Sequence, residues 1–540
     1  MSTESSSESK DPRDDFGFGA RWTALGTYLP GLGLIKGGRR PLIGTIVLSV
    51  FAVIVLSTVI TWFANPGALV AIGFNLTYLR ILMVALPVVG LAWVALIVAT
   101  YLDLKPRHLT NPGRALGAVL VGVLCLTIAA PMAVGGRYAF DQARVLERVF
   151  GNSDTATQAN LDARDPWKTK PRVNILLLGG DAGSDRTGTR TDSLMVASVD
   201  TKTGDTVLIG LPRNTARIPF PENSPLHKYY PNGFYNGNAD DQEYFVNSIY
   251  DNVPQSVPAD ILGPTSNLGA DALKLGVGEA LGIPIDYYLL IELDAFPRVI
   301  NALGGITVNI NTWVAKGGQT DAGIPPDGWL RPGPNQHLNG WDALWFARGR
   351  YGADDFQRMD RQRCVIQAAV SQANVANLLS RYEDIARQTV GTILTDIPHD
   401  MLPAFADLST RIQKGKTRSI VFKHGVDGFY SPNPNYAMVR ERVAQAISDT
   451  AAGKPGATPT PEAAPSWRPT RPSAAATPSA TGASNRTAAD TMDEGAASWA
   501  PTPQPGATST APAADDLKAV CAYKPEEAAQ ALANPPAGAR

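Results

Sequence analysis

Read for apolar and polar positions, the chain divides into unlike regions. Residues 1 to about 20 are rich in Ser, Asp and Glu, carry no apolar periodicity, and are expected to be disordered. Three long apolar runs follow, at about 42–63, 81–101 and 115–134. Each holds about 20 residues, enough to cross a hydrocarbon core of about 30 Å as a helix. A buried helix in a soluble protein is the alternative for any single run. Three uncharged runs in close succession disfavour it. No apolar core begins within the first residues, so no cleavable signal peptide is expected there. The stretch Ala68 to Phe74 is too short to span and is expected to lie at the interface in the loop between the first two runs.

Beyond the third run the pattern changes. Residues 136–172 are polar and mixed, read as a spacer with a helix at Phe140 to Phe150. From 173 to 450 short apolar runs alternate with helical periodicity. Val173–Leu178, Leu194–Val199 and Val207–Leu211 are bounded by Gly, Pro and Asp and read as buried strands. Helices are expected at Leu268–Leu281, at Ala295–Leu303 ending in Gly304-Gly305, and at Asp355–Leu379. Strands are expected at Ile285–Leu293 and Ile306–Ile310. Asn223 to Ser256, rich in Tyr, Pro, Asn and Asp, reads as a long loop or lid. The alternation predicts a mixed α/β domain, an αβα sandwich, preceded by three transmembrane helices. Residues 451–515, dominated by Pro, Ala, Thr and Ser, are expected to be a disordered linker. Residues 516–540 form a short final segment.

Charge sets the expected topology. Arg21, Lys36, Arg39 and Arg40 precede the first run, and Lys105, Arg107 and Arg114 lie between the second and third. The loop between the first two carries only Arg80. Lys and Arg collect on the cytoplasmic side, so residues 1–40 and the 102–114 loop are expected inside and everything past about 135 outside. A formal net charge of -1 gives no sign of a nucleic-acid partner. Of the three cysteines, Cys125 lies in the third run. Cys364 and Cys521 are outside by this topology, where thiols oxidise and persist, and a disulfide between them is expected. Their spacing fits no zinc or redox motif. No ligand pairing is evident among the histidines.

Candidate chemistry sits in two constellations. In the first, Asp181, Arg190, Asp192 and Arg213 lie at or near strand ends. A carboxylate pair suits a hard cation such as Mg²⁺, and arginines suit phosphate, which their planar fork grips with two bonds. Two acids and two arginines there suggest a metal–pyrophosphate site; two hairpins with surface ion pairs are the plainer alternative. In the second, Arg348 and Arg350 alternate and share one side of an extended segment. Asp355, Arg358 and Gln362 share one face of a helix that continues apolar at Ile366 and Ala369. A surface helix with weak Asp–Arg pairs is the alternative. Arg361 and Arg363 point elsewhere on the wheel and are expected to be solvated. Cys364 lies about 240° from Arg358, since each residue turns about 100°.

With GGD ending in Asp181, RTD at Arg190–Asp192, LPRN around Arg213, LNGWDALWFARGR ending in Arg350 and DFQRMDRQ at Asp355–Gln362, the chain resembles the LytR-CpsA-Psr family of membrane-anchored cell-wall enzymes. The span-rich N-terminus and Pro/Ala-rich tail resemble its actinobacterial branch. The resemblance implies transfer of a glycopolymer, arabinogalactan by analogy, from a polyprenyl-pyrophosphate carrier to a peptidoglycan acceptor at the cell membrane. It implies Mg²⁺ (or Mn²⁺) on Asp181 and Asp192. Arg190, Arg213, Arg348 and Arg350 would hold the pyrophosphate, with Asp355, Arg358 and Gln362 bordering it. Asn214 departs from the Asp found in many members. The general base stays open between Asp181, Asp192, Asp355 and metal activation. The carrier's tail implies an apolar tunnel between sheet and helices. Two other functions are a non-catalytic sensor of lipid-linked wall precursors and a polyprenyl-pyrophosphate pyrophosphatase.

Overall fold

The computed structural model describes residues 16–64, 72–73, 75–106, 110–150, 154–157, 161–162, 165–181, 189–238, 241–320, 323–372, 392–457 and 513–539. The expectations for 1–15, for most of 68–74, for 373–379 and for most of 451–515 lie outside the described residues.

Phe16–Tyr28 (α1) is helical, against the expectation of disorder up to about residue 20. Its buried face is made of Gly19, Thr23, Gly26 and Thr27, not of large apolar residues. Thr23 and Thr27 donate to carbonyls one turn back, and a Cβ on Gly19 would come within 2.8 Å of the Leu104 carbonyl oxygen. Close packing through small residues leaves no apolar periodicity to read. Leu32–Gly37 (α2) follows, then Pro41–Ala64 (α3), Leu76–Leu104 (α4) and Asn111–Phe150 (α5). Helices α3, α4 and the Asn111–Arg144 part of α5 are long and apolar enough to cross a membrane. Helix α5 runs on through Phe150, so the helix expected at 140–150 continues the third apolar run.

The domain beyond is built on a seven-stranded mixed sheet. Arg172–Asp181 (β1) pairs antiparallel with Arg190–Asp200 (β2), which pairs with Thr206–Gly210 (β3) through a turn at Gly204, φ +80°. The 223–256 stretch is partly ordered into Pro225–Tyr229 (α6) and Ile249–Ser256 (α7), with two 3-10 turns between them, so it is more than a loop. Next come Leu268–Leu281 (α8), Tyr287–Glu292 (β4), Phe296–Leu303 (α9) and Ile306–Ile310 (β5). Val314–Lys316 (β6), Gly328–Leu330 (β7) and Gly333–Leu338 (β8) form small antiparallel pairs, β5 with β8 and β6 with β7. Gly340–Arg348 (α10), Asp355–Gln372 (α11), Ile393–Thr395 (β9), Leu402–Lys414 (α12), Thr417–Val421 (β10) and Tyr436–Ala451 (α13) complete the 173–450 region. Asp515–Asp516 (β11), Leu517–Val520 (α14) and Pro525–Ala533 (α15) end the described chain.

The order across the sheet is β11-β10-β3-β2-β1-β4-β9, with β1/β4 and β3/β10 parallel. Both faces are covered, which is why β1 and β2 read as nearly unbroken apolar runs. Leu176, Leu178, Val196 and Ile209 pack with α7, α8 and α13 on one face. Val173, Val199, Leu208 and Tyr287 pack with Leu408 of α12 and Leu517 of α14 on the other, where Ile366 of α11 joins them. The result is an αβα sandwich.

Cys364 of α11 and Cys521 are joined in a disulfide, Cα to Cα 5.6 Å. The final segment is also held by side chains around β5. Asn309 Nδ2 donates to the Cys521 carbonyl at 2.9 Å, and Trp313 Nε1 donates to the Ala531 carbonyl at 2.8 Å.

Candidate functional site at the ends of the first two strands

Asp181 is the last residue of β1 and Arg190 the first of β2, paired across the ladder. The pairing slips at Gly179/Gly180: Gly179 faces Ser193 and Gly180 faces Thr191, leaving Asp192 without a partner on β1. Such a bulge re-aims side chains. Here Thr191 is buried toward Asn247, while Asp192 and Ser193 both turn toward α11. Ser193 Oγ donates to Gln362 Oε1 at 3.2 Å, and Asp192 lines a pocket with Arg358.

The second constellation closes over this corner. Arg348 Nη2 donates to Asp181 Oδ2 at 3.2 Å, although the two lie far apart in the chain. Arg213 Nη1 donates to Asp192 Oδ1 at 2.8 Å. Arg358 Nη2 and Arg350 Nε lie 2.8 and 3.8 Å from Asp355 Oδ1. Arg190 pairs with Glu243. Arg358 is 5% exposed, and its Nε has no hydrogen-bond partner among the described residues. Burial lowers its pKa; Asp355 opposes that shift, while Arg213 and Arg350 add to it. The site is thus a concentration of guanidinium charge. Arg348 and Arg350 are about half exposed, 46% and 49% by side chain, and free to trade a carboxylate for an incoming anion.

The structure brings Asp181, Arg190, Asp192, Arg213, Arg348, Arg350, Arg358 and Gln362 to the same end of the sheet. It corrects two expectations. Arg348 ends helix α10 and Arg350 follows Gly349 in a turn, so the two do not alternate on an extended segment. Arg361 and Arg363 are not solvated. Arg361 donates to the carbonyls of Phe346, at 2.7 Å, and Gly349, and burial brings its pKa down to about 10. Arg363 is 3% exposed and bonds Ser419 Oγ at 2.5 Å and Asp360. The pocket beneath the arginines has a volume of about 10 Å³ and an apolar floor lined by Leu194, Met195, Leu211 and Met359.

Two acids at this corner escaped the sequence reading. Glu292 ends β4, in register with Gly180. A Cβ on Gly180 would stand 2.9–3.0 Å from the Glu292 carboxyl group, so the glycine makes room for that acid. The signal was available, because an acid ending a strand parallel to β1 stands where Asp181 does. Glu243, on the turn Gln242–Tyr244, gave no signal; only the fold brings it to Arg190. Hydrogen bonding from Asn252 lowers its pKa, with Arg190 adding to the effect.

The model of the LytR_cpsA_psr family matches residues 145–449, more than half of the chain. The chain belongs to the LytR_cpsA_psr family. The match takes in both site constellations and begins within α5, so part of the stretch read as a spacer belongs to the family unit. Among characterised relatives, the chain is 24% identical to the polyisoprenyl-teichoic acid–peptidoglycan teichoic acid transferase TagU of Enterococcus faecalis, over 62% of this chain and 94% of that one. It is 25% identical to TagU of Bacillus cereus, over 50% of this chain and 76% of that one. Solved structures similar to this family member include B. subtilis TagV, with 24% identity over 53% of this chain and all of that one, TM-score 0.36. A LytR-Csp2A-Psr enzyme from Actinomyces oris shows 20% identity over 50% and 88%, TM-score 0.33.

Proposed function

We propose that the chain is a membrane-anchored phosphotransferase. It would move a glycopolymer from a polyprenyl-pyrophosphate carrier to a peptidoglycan hydroxyl, with its catalytic domain outside the cell. One observation carries this reading: arginines from two separate parts of the chain converge on the carboxylates at the ends of β1 and β2, with Arg348 on Asp181 and Arg213 on Asp192. The family's named relatives, teichoic acid transferases acting on peptidoglycan, support it. Arabinogalactan as the polymer rests on the resemblance to the actinobacterial branch alone.

In the transfer, an acceptor hydroxyl oxygen attacks the sugar-side phosphorus. The bridging P–O bond breaks, polyprenyl phosphate leaves, and the hydroxyl proton is lost to a base. A phosphodiester joins polymer and acceptor. Arg190, Arg213, Arg348 and Arg350 would hold the two phosphates in line. Arg358, fixed by Asp355, would keep positive potential beneath them. Catalysis of this kind comes from positioning and charge neutralisation. Asp181 and Asp192 would hold a magnesium ion, each supplying hard carboxylate oxygen, with phosphates and water completing its shell. Its chemistry would be to neutralise charge developing on the phosphate oxygens.

The test is product analysis with the full chain in detergent, a polyprenyl-pyrophosphate-linked saccharide and soluble peptidoglycan. A phosphodiester-linked product with release of polyprenyl phosphate is expected. Release of phosphate products to water alone, unaffected by acceptor, would make the protein a pyrophosphatase. Binding without turnover would make it a sensor.

A further inference from the structure

Helices α1 and α2 form a hairpin whose depth beside the apolar spans follows from its contacts. The open end lies at the last turn of α4. A Cβ on Gly19 would come within 2.8 Å of the Leu104 carbonyl oxygen, and one on Gly37 within 3.6 Å of Asp103 Cβ. Midway, Gly26 and Gly33 face Thr100. The closed end goes further. Trp93 Nε1 donates to the Thr27 carbonyl at 3.0 Å, and a Cβ on Gly31 would come within 3.0 Å of the Leu48 nitrogen on α3. Lys105 follows α4 and Arg39-Arg40 precede α3, so a membrane crossed by these helices ends near Leu104 and Pro41. From the helical rise, Leu48 stands about 10 Å inside that boundary and Trp93 about 16 Å. The turn at Leu29–Gly31 therefore lies within one leaflet of a hydrocarbon core about 30 Å thick.

The backbone of the hairpin meets the condition that lipid imposes. Irregular backbone at that depth needs its polar groups satisfied within the protein. The Leu29 N–H donates to the Leu25 carbonyl at 2.9 Å, Leu32 N–H to Leu29 at 3.1 Å and Ile35 N–H to Gly31 at 3.2 Å. Pro30 has no N–H to place. The Trp93 indole serves the Thr27 carbonyl, and the hydroxyls of Thr23 and Thr27 bond carbonyls one turn back. The side chains sort in the same sense. Leu25, Tyr28 and Leu29, toward the closed end, are large and exposed, as are Leu42, Ile43 and Ile46 on α3. Arg21, Lys36, Arg39 and Arg40 are exposed toward the open end, with Lys36 over the Trp22 ring. An apolar tip and a cationic base match acyl chains beneath anionic headgroups. Neither helix can span, since α1 has 13 residues and α2 has 6, against about 20 needed.

We propose that Phe16–Gly37 is a re-entrant hairpin. It is seated in one leaflet, the cytoplasmic one by the Lys and Arg asymmetry, with Tyr28–Gly31 among the acyl chains and its basic end at the headgroups. The proposal rests on α3 and α4 crossing the membrane and not on the transferase reading. It takes residues 16–37 out of the cytoplasmic segment that charge alone assigns to 1–40.

The experiment is electron paramagnetic resonance on the full chain, with Cys125→Ser and the disulfide kept, in vesicles of phosphatidylglycerol and phosphatidylcholine. Single spin labels are placed at Leu25→Cys, Leu29→Cys, Arg39→Cys and Ile46→Cys, and circular dichroism matching wild type reports that each labelled chain is folded. Collision rates are measured with oxygen, which concentrates in lipid, and with a neutral nickel chelate, which stays in water. The oxygen-to-nickel ratio at Leu25 and Leu29 is expected to be several-fold higher than at Arg39 and close to that at Ile46. Nickel collisions at Leu25 and Leu29 as frequent as at Arg39, with Ile46 protected, overturn the hairpin alone. Nickel reaching Ile46 as readily as Arg39 overturns the spans, and the hairpin with them. Exclusion of both reagents from Leu25 and Leu29 also overturns the proposal, because protein and not lipid would then cover that face.

Discussion

Asp192 owes its direction to a missing ladder partner. The slip at Gly179/Gly180 turns two successive side chains, Asp192 and Ser193, to the α11 side. In a regular strand they would point to opposite faces. Both acids now answer to arginines, so either acid alone should matter. Asp181→Asn and Asp192→Asn are each expected to lower donor turnover about 10²–10³-fold, the typical loss for one transition-state contact. Steady-state release of polyprenyl phosphate, titrated with Mg²⁺, checks this; full activity with an unchanged metal response in both would place the metal elsewhere. Arg348→Ala and Arg350→Ala should each reduce turnover while leaving the melting temperature near wild type, since both side chains are half exposed. A variant that unfolds would make that arginine structural. These residues were legible in the sequence because strand ends and charge spacing are local. Glu243 was not, because its tie to Arg190 exists only after the insert folds back.

Among the elements, α11 is covered on three different sides. Its Asp/Arg/Gln face was legible from spacing alone, and Cys364 was correctly expected on another side. The wheel could not show that a third side, carrying Arg361 and Arg363, would also be covered. One cover is α10, through its carbonyls. Another is the C-terminal segment, more than 150 positions away for Asp515. Arg363→Met should destabilise the protein by about 1–3 kcal/mol, because Ser419 and Asp515 lose a donor. Thermal or denaturant unfolding reads this, and an unchanged midpoint would show that water replaces the guanidinium. Helix α1 was missed for a different reason. Its contacts use Gly and Thr, which a search for large apolar residues passes over.

At the scale of the whole molecule, the Lys and Arg asymmetry predicts opposite sides for reporters fused at Pro112 and Ala159. Same-side signals would overturn that topology. The disulfide tests the same arrangement from outside. Cys364→Ser is expected to lower stability by about 2–4 kcal/mol, below the roughly 5 kcal/mol of the chain-entropy limit for so long a loop. Differential scanning calorimetry with and without reductant checks this, and a wild-type protein indifferent to reductant would remove the bond's contribution.

The two-residue strand β11 is small, yet it sits at the border of the main sheet, against Arg418 and Ser419 of β10. Without it, β10 would present a free row of N–H and C=O groups to solvent. An open edge of this kind invites another chain to add its own strand. Asp515 and Asp516 cover that row; Asp515 turns inward to Arg363, while the exposed Asp516 leaves a carboxylate at the border that repels a second copy of the same segment. The tail's last turns are therefore a guard on solubility: versions of the domain cut before Asp515 are the ones that should self-associate.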